Sequence, residues 1–204
     1  MQKIYDEFAT TYDEHRGLFD MSEILEIYWR SLNRRKGTLL DLGCGAGEPF
    51  AKWFVGRGWQ VKGVDFSEKM LALASRYVPG METIQMDMKA VDFEPHQFNA
   101  VTSIYSLFHL SLADQDTLFR KVFHWLKPGG KMLFTYATKA YTGSDQFEGT
   151  IEFMGRPLFY AHTTPEALRN TLENLGFTVE DEQYRTLGGE TFLWVTIRKE
   201  RSEQ

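Results

Sequence analysis

Gly37-Thr38-Leu39-Leu40-Asp41-Leu42-Gly43-Cys44-Gly45-Ala46-Gly47 is an apolar run that ends near an acid and passes into a loop with glycine at every second position. The short β-rich stretch Thr38 to Leu42 has the pattern of a buried strand. Glycines at 43, 45 and 47 let the backbone turn sharply and approach a ligand with no Cβ in the way. From Glu48 to Gly56, apolar Phe50, Ala51, Phe54 and Val55 stand at helical spacing, so the order is strand, glycine loop, helix. That order suits a nucleotide-like ligand lying against the loop.

Dinucleotide-binding folds also place a glycine loop between a strand and a helix, with the spacing G-x-G-x-x-G. Here the spacing is G-x-G-x-G, Asp41 precedes it, and no arginine or lysine stands in the loop to meet a pyrophosphate. A carboxylate at the strand end instead suits a cationic group such as an amino-acid ammonium. Trp59 to Asp65 reads as the next strand, with Asp65 at its carboxyl end. A carboxylate there can accept hydrogen bonds from two ribose hydroxyls. Capping of the helix that starts near Ser67 is the competing role for Asp65, although Ser67 is itself a good cap.

These residues resemble the class I S-adenosylmethionine-dependent methyltransferases. The first motif of that family is similar to Leu40-Asp41-Leu42-Gly43-Cys44-Gly45-Ala46-Gly47, and its ribose acid matches Asp65. Ile84-Gln85-Met86-Asp87-Met88 resembles the family's adenine segment, Phe98 to Ile104 its fourth strand, and Leu126 to Leu133 the turn into its fifth. The resemblance runs over nearly the whole chain. It implies a Rossmann-like α/β fold: a doubly wound sheet of seven strands in the order 3-2-1-4-5-7-6, the last strand antiparallel, with an N-terminal helical cap. It also implies S-adenosyl-L-methionine as cofactor and S-adenosyl-L-homocysteine as its product.

The chain has 204 residues, 43% hydrophobic and 25% charged, ordinary values for one globular α/β domain with a small appendage. One domain is expected: a cap over 1–36, a cofactor-binding core over 37–137, an acceptor-side insertion over 138–163, and a C-terminal helix and hairpin over 164–204. No apolar run approaches a membrane span, and the mixed acids and aromatics of Met1 to Asp20 do not resemble a signal peptide, so a cytoplasmic protein is expected. The formal charge of -5 argues against an extensive nucleic-acid surface. Arg30, Arg34, Arg35 and Lys36 read as the end of a helix. Cys44 is the only cysteine, which rules out an internal disulfide and a cysteine-based metal site; no metal is expected. A monomer or homodimer is expected.

Helical spacing runs through Tyr5, Phe8, Ala9 and Tyr12, and again through Ile24, Leu25, Ile27, Tyr28 and Leu32. In the family such helices close over the cofactor, which would turn Tyr5, Tyr12 and Arg16 toward the site. Strands are expected at Thr38 to Leu42, Gln60 to Asp65, Thr83 to Met86, Ala100 to Ile104 and Lys131 to Ala137. Helices are expected at Pro49 to Val55, Glu68 to Tyr77 and Asp114 to Leu126. Lys127-Pro128-Gly129-Gly130 reads as a turn, and 138–162 as a loop region. A helix starts at Thr164-Pro165-Glu166. Strands at Phe177 to Tyr184 and Thr191 to Ile197, joined around Leu187-Gly188-Gly189, close the sheet.

In an open α/β sheet the ligand lies outside the carboxyl ends of the strands. The expected cofactor residues are Tyr12, Asp41, Gly43, Cys44, Gly45, Gly47, Asp65, Phe66, Met70, Asp87, Met88, Ser103 and Ile104. Phe66 and Met70 would pack on the adenine, Asp87 would accept from its amine, and the Met88 backbone would meet its ring edge. Methyl transfer from a sulfonium is an in-line displacement, so alignment supplies much of the rate and a base is needed only for a protonated acceptor. His109 and His162 are the candidate catalytic bases, and each also fits a buried structural histidine. Tyr105, His109, Arg156, Tyr160, His162 and Glu190 are the candidate acceptor contacts, with Arg156 suited to a carboxylate or phosphate. The segment Phe147 to Tyr160 fits an acceptor pocket or, alternatively, a short β-pair covering the sheet edge.

The expected function is methylation of an oxygen or nitrogen of a small-molecule acceptor. The alternatives are a methyltransferase acting on tRNA or protein, a catalytically inactive cofactor-binding regulator, and a nicotinamide-dependent oxidoreductase.

Overall fold

The apolar strand and the glycine bend take the positions their residues dictate in the computed structural model, which describes residues 2–17, 20–153 and 155–200. The chain opens with helices α1 (Gln2–Phe8), α2 (Tyr12–His15) and α3 (Ser22–Ser31). It then alternates β1 (Thr38–Leu42), α4 (Phe50–Val55), β2 (Gln60–Asp65), α5 (Glu68–Tyr77), β3 (Met81–Gln85) and β4 (Phe98–Ser103). After a 3-10 turn at Leu107–His109 come α6 (Leu112–Trp125), β5 (Leu126–Tyr136) and α7 (Lys139–Thr142). The chain closes with β6 (Phe147–Phe153), β7 (Arg156–His162), α8 (Pro165–Asn174), β8 (Phe177–Leu187) and β9 (Glu190–Lys199).

Seven strands form one sheet in the order β3-β2-β1-β4-β5-β9-β8, and β6 and β7 pair separately. With that ribbon set aside, the order is the expected 3-2-1-4-5-7-6. The final strand, β9, runs antiparallel to both β5 and β8. Strands β1 and β4 are buried on both faces, which is why neither shows the in–out alternation of a half-exposed strand.

One apolar cluster lies on the face covered by α6 and α8, around Val101, Phe119, Trp125 and Phe134. A second lies under α3, α4 and α5, around Leu25, Tyr28, Phe54 and Ala74. The Tyr28 hydroxyl, deep in the sheet face, donates to the carbonyls of Val101 and Lys131. Helix α5 is capped by Ser67, whose hydroxyl accepts from the Met70 N–H, and α6 and α8 by Ser111 and Thr164 in the same way. No helix among the described residues is long and apolar enough to cross a membrane.

Two stretches differ from expectation. The region over 138–162, expected as loop with a short β-pair as the alternative for Phe147 to Tyr160, holds α7 and the β6–β7 ribbon, in which Phe147, Gly149, Ile151 and Phe153 turn inward at a period of two. The ribbon packs on the 3-10 turn after β4 and, with Phe108, Tyr160 and Phe192, forms a third apolar cluster over the carboxyl ends of the strands. Met154, part of the Phe147 to Tyr160 segment in the sequence, lies outside the described residues. The turn expected at Lys127 to Gly130 is an irregularity inside β5, where the partners pass from Phe98 with Leu126 to Ala100 with Lys131.

Candidate active site

Three devices shape the glycine bend after β1. The N–H groups of Gly43 and Cys44 both donate to the Val64 carbonyl of β2, at 2.8 and 3.1 Å. The Gly45 N–H donates to Oδ2 of Asp65 at 2.9 Å, and the Ser67 N–H to its Oδ1 at 2.9 Å. The Ser106 hydroxyl donates to the Leu42 carbonyl and lies 2.8 Å from the Ser103 hydroxyl, which ties the end of β4 to the end of β1.

All three glycines have positive φ, yet they serve different ends. A Cβ on Gly43 would meet Ser106 Cβ at 2.4 Å, and one on Gly47 would meet Val78 Cγ2 at 2.9 Å. A Cβ on Gly45 would meet nothing within 4 Å, because Gly45 faces open space at the cavity wall. Gly47→Ala is therefore expected to lose about 1–3 kcal/mol of stability in chemical denaturation through overpacking and backbone strain. Gly45→Ala, strained at the backbone alone, is expected to lose less stability while placing a methyl group where a ligand would lie. Equal stability losses for the two variants would contradict this division.

Above the bend lies a cavity of about 1260 Å3, larger than the usual range of about 300–1,000 Å3 for a single small ligand. Asp41, Gly43, Cys44, Gly45, Asp65, Phe66, Met70, Asp87, Met88, Ile104 and Tyr12 all line it. So do Tyr105, His109, Tyr160 and Glu190. Gly47, Ser103, Arg156 and His162 do not. Gly47 faces Val78 and Met81, on the helix side of the sheet. Ser103 is fully buried behind Ser106. Arg156 pairs with Glu7 of α1 at 2.7 Å, pinning the ribbon to the N-terminal cap.

The two acids at the strand tips are unlike ordinary surface carboxylates. Asp41 is 5% exposed, and burial pushes its pKa up to about 7, although the Thr102 hydroxyl donates to its Oδ1 at 2.7 Å. The negative charge of Asp65 adds to the rise. Asp65 is raised as well, by burial first, against the backbone N–H groups that favour its ionised form. Two buried, mutually repelling carboxylates at one bend favour a cationic ligand. Asp87 is more exposed; its Oδ1 accepts from the Lys89 N–H, and its other oxygen lies 3.8 Å from the Lys89 ammonium.

The histidines divide clearly. His109 Nδ1 lies 2.7 Å from the Phe159 carbonyl, so Nδ1 carries the proton and donates. Its Nε2 is then the acceptor for the Tyr5 hydroxyl at 3.0 Å. Burial pushes the His109 pKa down to about 4, which leaves a neutral imidazole at neutral pH with its lone pair toward the cavity. His162 is fully buried at the end of β7, its Nδ1 on the Thr163 carbonyl and its Nε2 2.7 Å from the Thr142 hydroxyl. Both ring nitrogens have partners in the core, and His162 does not line the cavity.

Some residues at the site were not expected from the sequence. Thr102, behind the cavity wall, holds Asp41, and Phe192 adds apolar wall; Ser106 and Phe108 lie in the stretch after β4 and Phe153 and Leu158 in the Phe147 to Tyr160 segment, both already expected near the site. Tyr5 closes over the cavity from α1, where the neighbouring Asp6 accepts from the Ser67 hydroxyl at 2.6 Å. Arg16 and Lys52 both pair with Glu48 at the rim, Lys52 at 2.7 Å.

Residues 39–130 match a family described as a methyltransferase domain. A Bacillus subtilis methyltransferase is 34% identical over 136 residues, covering 64% of this chain and 54% of that protein. The 2-phytyl-1,4-naphtoquinone methyltransferase of Thermosynechococcus vestitus is 32% identical over 141 residues, covering 64% of this chain and 61% of that one. The chain thus spans little more than half the length of these two curated relatives. Among solved structures, the 1,6-didemethyltoxoflavin-N1-methyltransferase of Burkholderia thailandensis superposes with a TM-score of 0.72 at 21% identity, over 97% of this chain and 87% of that one. That likeness is one of fold. Residues 39–130, set on this strand order and this glycine bend, are thus similar to a methyltransferase domain, and the fold is that of S-adenosylmethionine-dependent methyltransferases.

Proposed function

We propose that this chain binds S-adenosyl-L-methionine and methylates an oxygen or nitrogen atom of a small-molecule acceptor. The observation that carries the reading is the pair of buried acids, Asp41 and Asp65, on either side of a bend whose Gly45 leaves open space. Each Asp65 oxygen uses one backbone N–H and keeps a lone pair for a ribose hydroxyl. Asp41 suits the ammonium of the methionine moiety. Phe66, Met70 and Met88 offer apolar surface for the adenine, with Asp87 at the rim for its amine.

When bound, the cofactor supplies an electrophilic methyl group on a sulfur that departs as a neutral thioether. The chain's own residues then align the acceptor and exclude water. Phe8, Phe108, Phe153 and Phe192 line the cavity and provide that exclusion. Tyr105 and Tyr160 position the acceptor, and His109 Nε2 receives its proton once the Tyr5 hydroxyl gives way. Arg156 and His162 have no part in this reading. A cavity large enough for cofactor and acceptor together supports a small acceptor. The naphthoquinone and toxoflavin methyltransferases, each named for a small-molecule acceptor, support the same reading.

Incubation with methyl-labelled S-adenosylmethionine and a metabolite extract tests the proposal. Label is expected in the small-molecule fraction. Label confined to protein or RNA would overturn the acceptor class, and no label in any fraction would overturn the activity.

A further inference from the structure

Taking the methyltransferase function above as its basis, we infer that the acceptor is an organic amine, docked as its ammonium on the Glu190 carboxylate against the rings of Tyr105, Tyr160 and Phe192. Six carboxylates line the cavity: Asp41, Glu48, Asp65, Asp87, Asp114 and Glu190. Among the described residues the only lysine or arginine on its wall is Lys89, which lies 3.8 Å from Asp87 and 3.6 Å from Asp114, away from the acceptor end. Glu48 has Arg16 and Lys52. Glu190 pairs with no cation among the described residues.

Glu190 opens β9 directly after Gly188-Gly189 and is half-buried among aromatic rings. Burial raises the hydroxyl pKa values of Tyr105, Tyr160 and Tyr141, and the Glu190 charge adds to each, so all three lie within its field. Phe108 stacks on Tyr160 at 5.4 Å and on Phe192 at 4.9 Å, and Tyr105 meets Phe192 edge-on at 5.3 Å. Tyr105 holds a left-handed backbone, φ +54°, fixed by its N–H donating to the Thr135 hydroxyl at 2.6 Å. Such an outlier marks a site that the surrounding structure over-determines.

Glu190 has no counter-ion among the described residues, burial raises its pKa with only the Tyr141 hydroxyl favouring the ionised form, and a docked ammonium restores the carboxylate. The faces of tyrosine and phenylalanine attract the same cation. A carboxylate- or phosphate-bearing acceptor finds no partner here, because Arg156 turns away to Glu7. Glu190 is also placed to accept the proton an ammonium must shed before its nitrogen has a lone pair.

Three probes of matched size test this on protein saturated with S-adenosylhomocysteine: phenethylamine, phenethyl alcohol and phenylacetate, followed by ligand-observed NMR. Phenethylamine is expected to bind at least tenfold more tightly than either of the others. Glu190→Gln is expected to erase that preference while S-adenosylhomocysteine affinity and melting temperature stay close to wild type. No preference for the amine, including no binding by any probe, overturns the inference, as does a preference that survives Glu190→Gln. Failure of S-adenosylhomocysteine itself to bind rejects the methyltransferase function instead. The Glu190 contrast is then measured on the ligand-free chain and decides the amine question there.

Discussion

Asp65→Ala is expected to weaken S-adenosylhomocysteine binding by at least about a hundredfold in a calorimetric titration, the largest loss from any single substitution in the cavity. Two charge-assisted hydrogen bonds to a ribose, each worth roughly 1.5–3 kcal/mol, disappear together. The same change removes the acceptor for the Gly45 and Ser67 N–H groups, so the bend loses one of its fixings as well as its ligand contact. Asp65→Asn separates the two effects. Its amide oxygen can still accept from one backbone N–H, whereas its NH2 group cannot accept from a hydroxyl. Binding by Asp65→Ala within about threefold of wild type would remove the ribose role.

Asp41→Asn is expected to stabilise the ligand-free protein at pH 8 and to leave its stability at pH 4 nearly unchanged. Burial holds the folded-state pKa of Asp41 near 7, against an ordinary value of 3.8. Between those values the folded protein keeps a proton that the unfolded chain has lost, so the Asp41 contribution falls as pH rises through the window. The penalty is complete above pH 7, on the order of 4 kcal/mol at about 1.4 kcal/mol per pKa unit. His109 works in the opposite direction. Its folded pKa near 4 means the unfolded chain binds more protons up to about pH 6.5, and stability rises with pH there. The two slopes offset one another in the wild-type curve, so the difference between wild type and Asp41→Asn isolates the acid. A difference that does not grow between pH 4 and 8 would contradict the buried-carboxylate assignment.

The functional counterpart has the reverse sign. A cationic ligand needs Asp41 ionised, so wild-type affinity for S-adenosylhomocysteine is expected to rise by about tenfold from pH 6 to pH 8. Asp41→Asn is expected to lose both the affinity and its pH dependence.

The elements legible in the sequence were those whose signals are local. The strand, bend and helix over 38–55 declare themselves through apolar runs and alternate glycines, and β1, β2 and α5 fall on the expected residues. The β6–β7 ribbon was harder, because its inward positions include Gly149 and its strands find partners only in one another. Nothing local separates His109 from His162. His109 follows Phe108 and His162 follows Tyr160-Ala161, and only the tertiary placement turns one toward Tyr5 and the other into a pocket closed by Thr142. Arg156 was misplaced for a related reason. Its charge suits an anionic acceptor, but the ribbon's register sets it opposite Phe153, where Glu7 is within reach. Gly47 belongs to a glycine pattern that looks uniform, yet one of its members serves helix packing and another faces the cavity.

The most direct measurement is a calorimetric titration of the wild-type chain with S-adenosylhomocysteine at pH 8. Two buried carboxylates around an open bend predict saturable one-to-one binding at micromolar ligand. A folded protein that evolves no saturable heat up to millimolar ligand would contradict it.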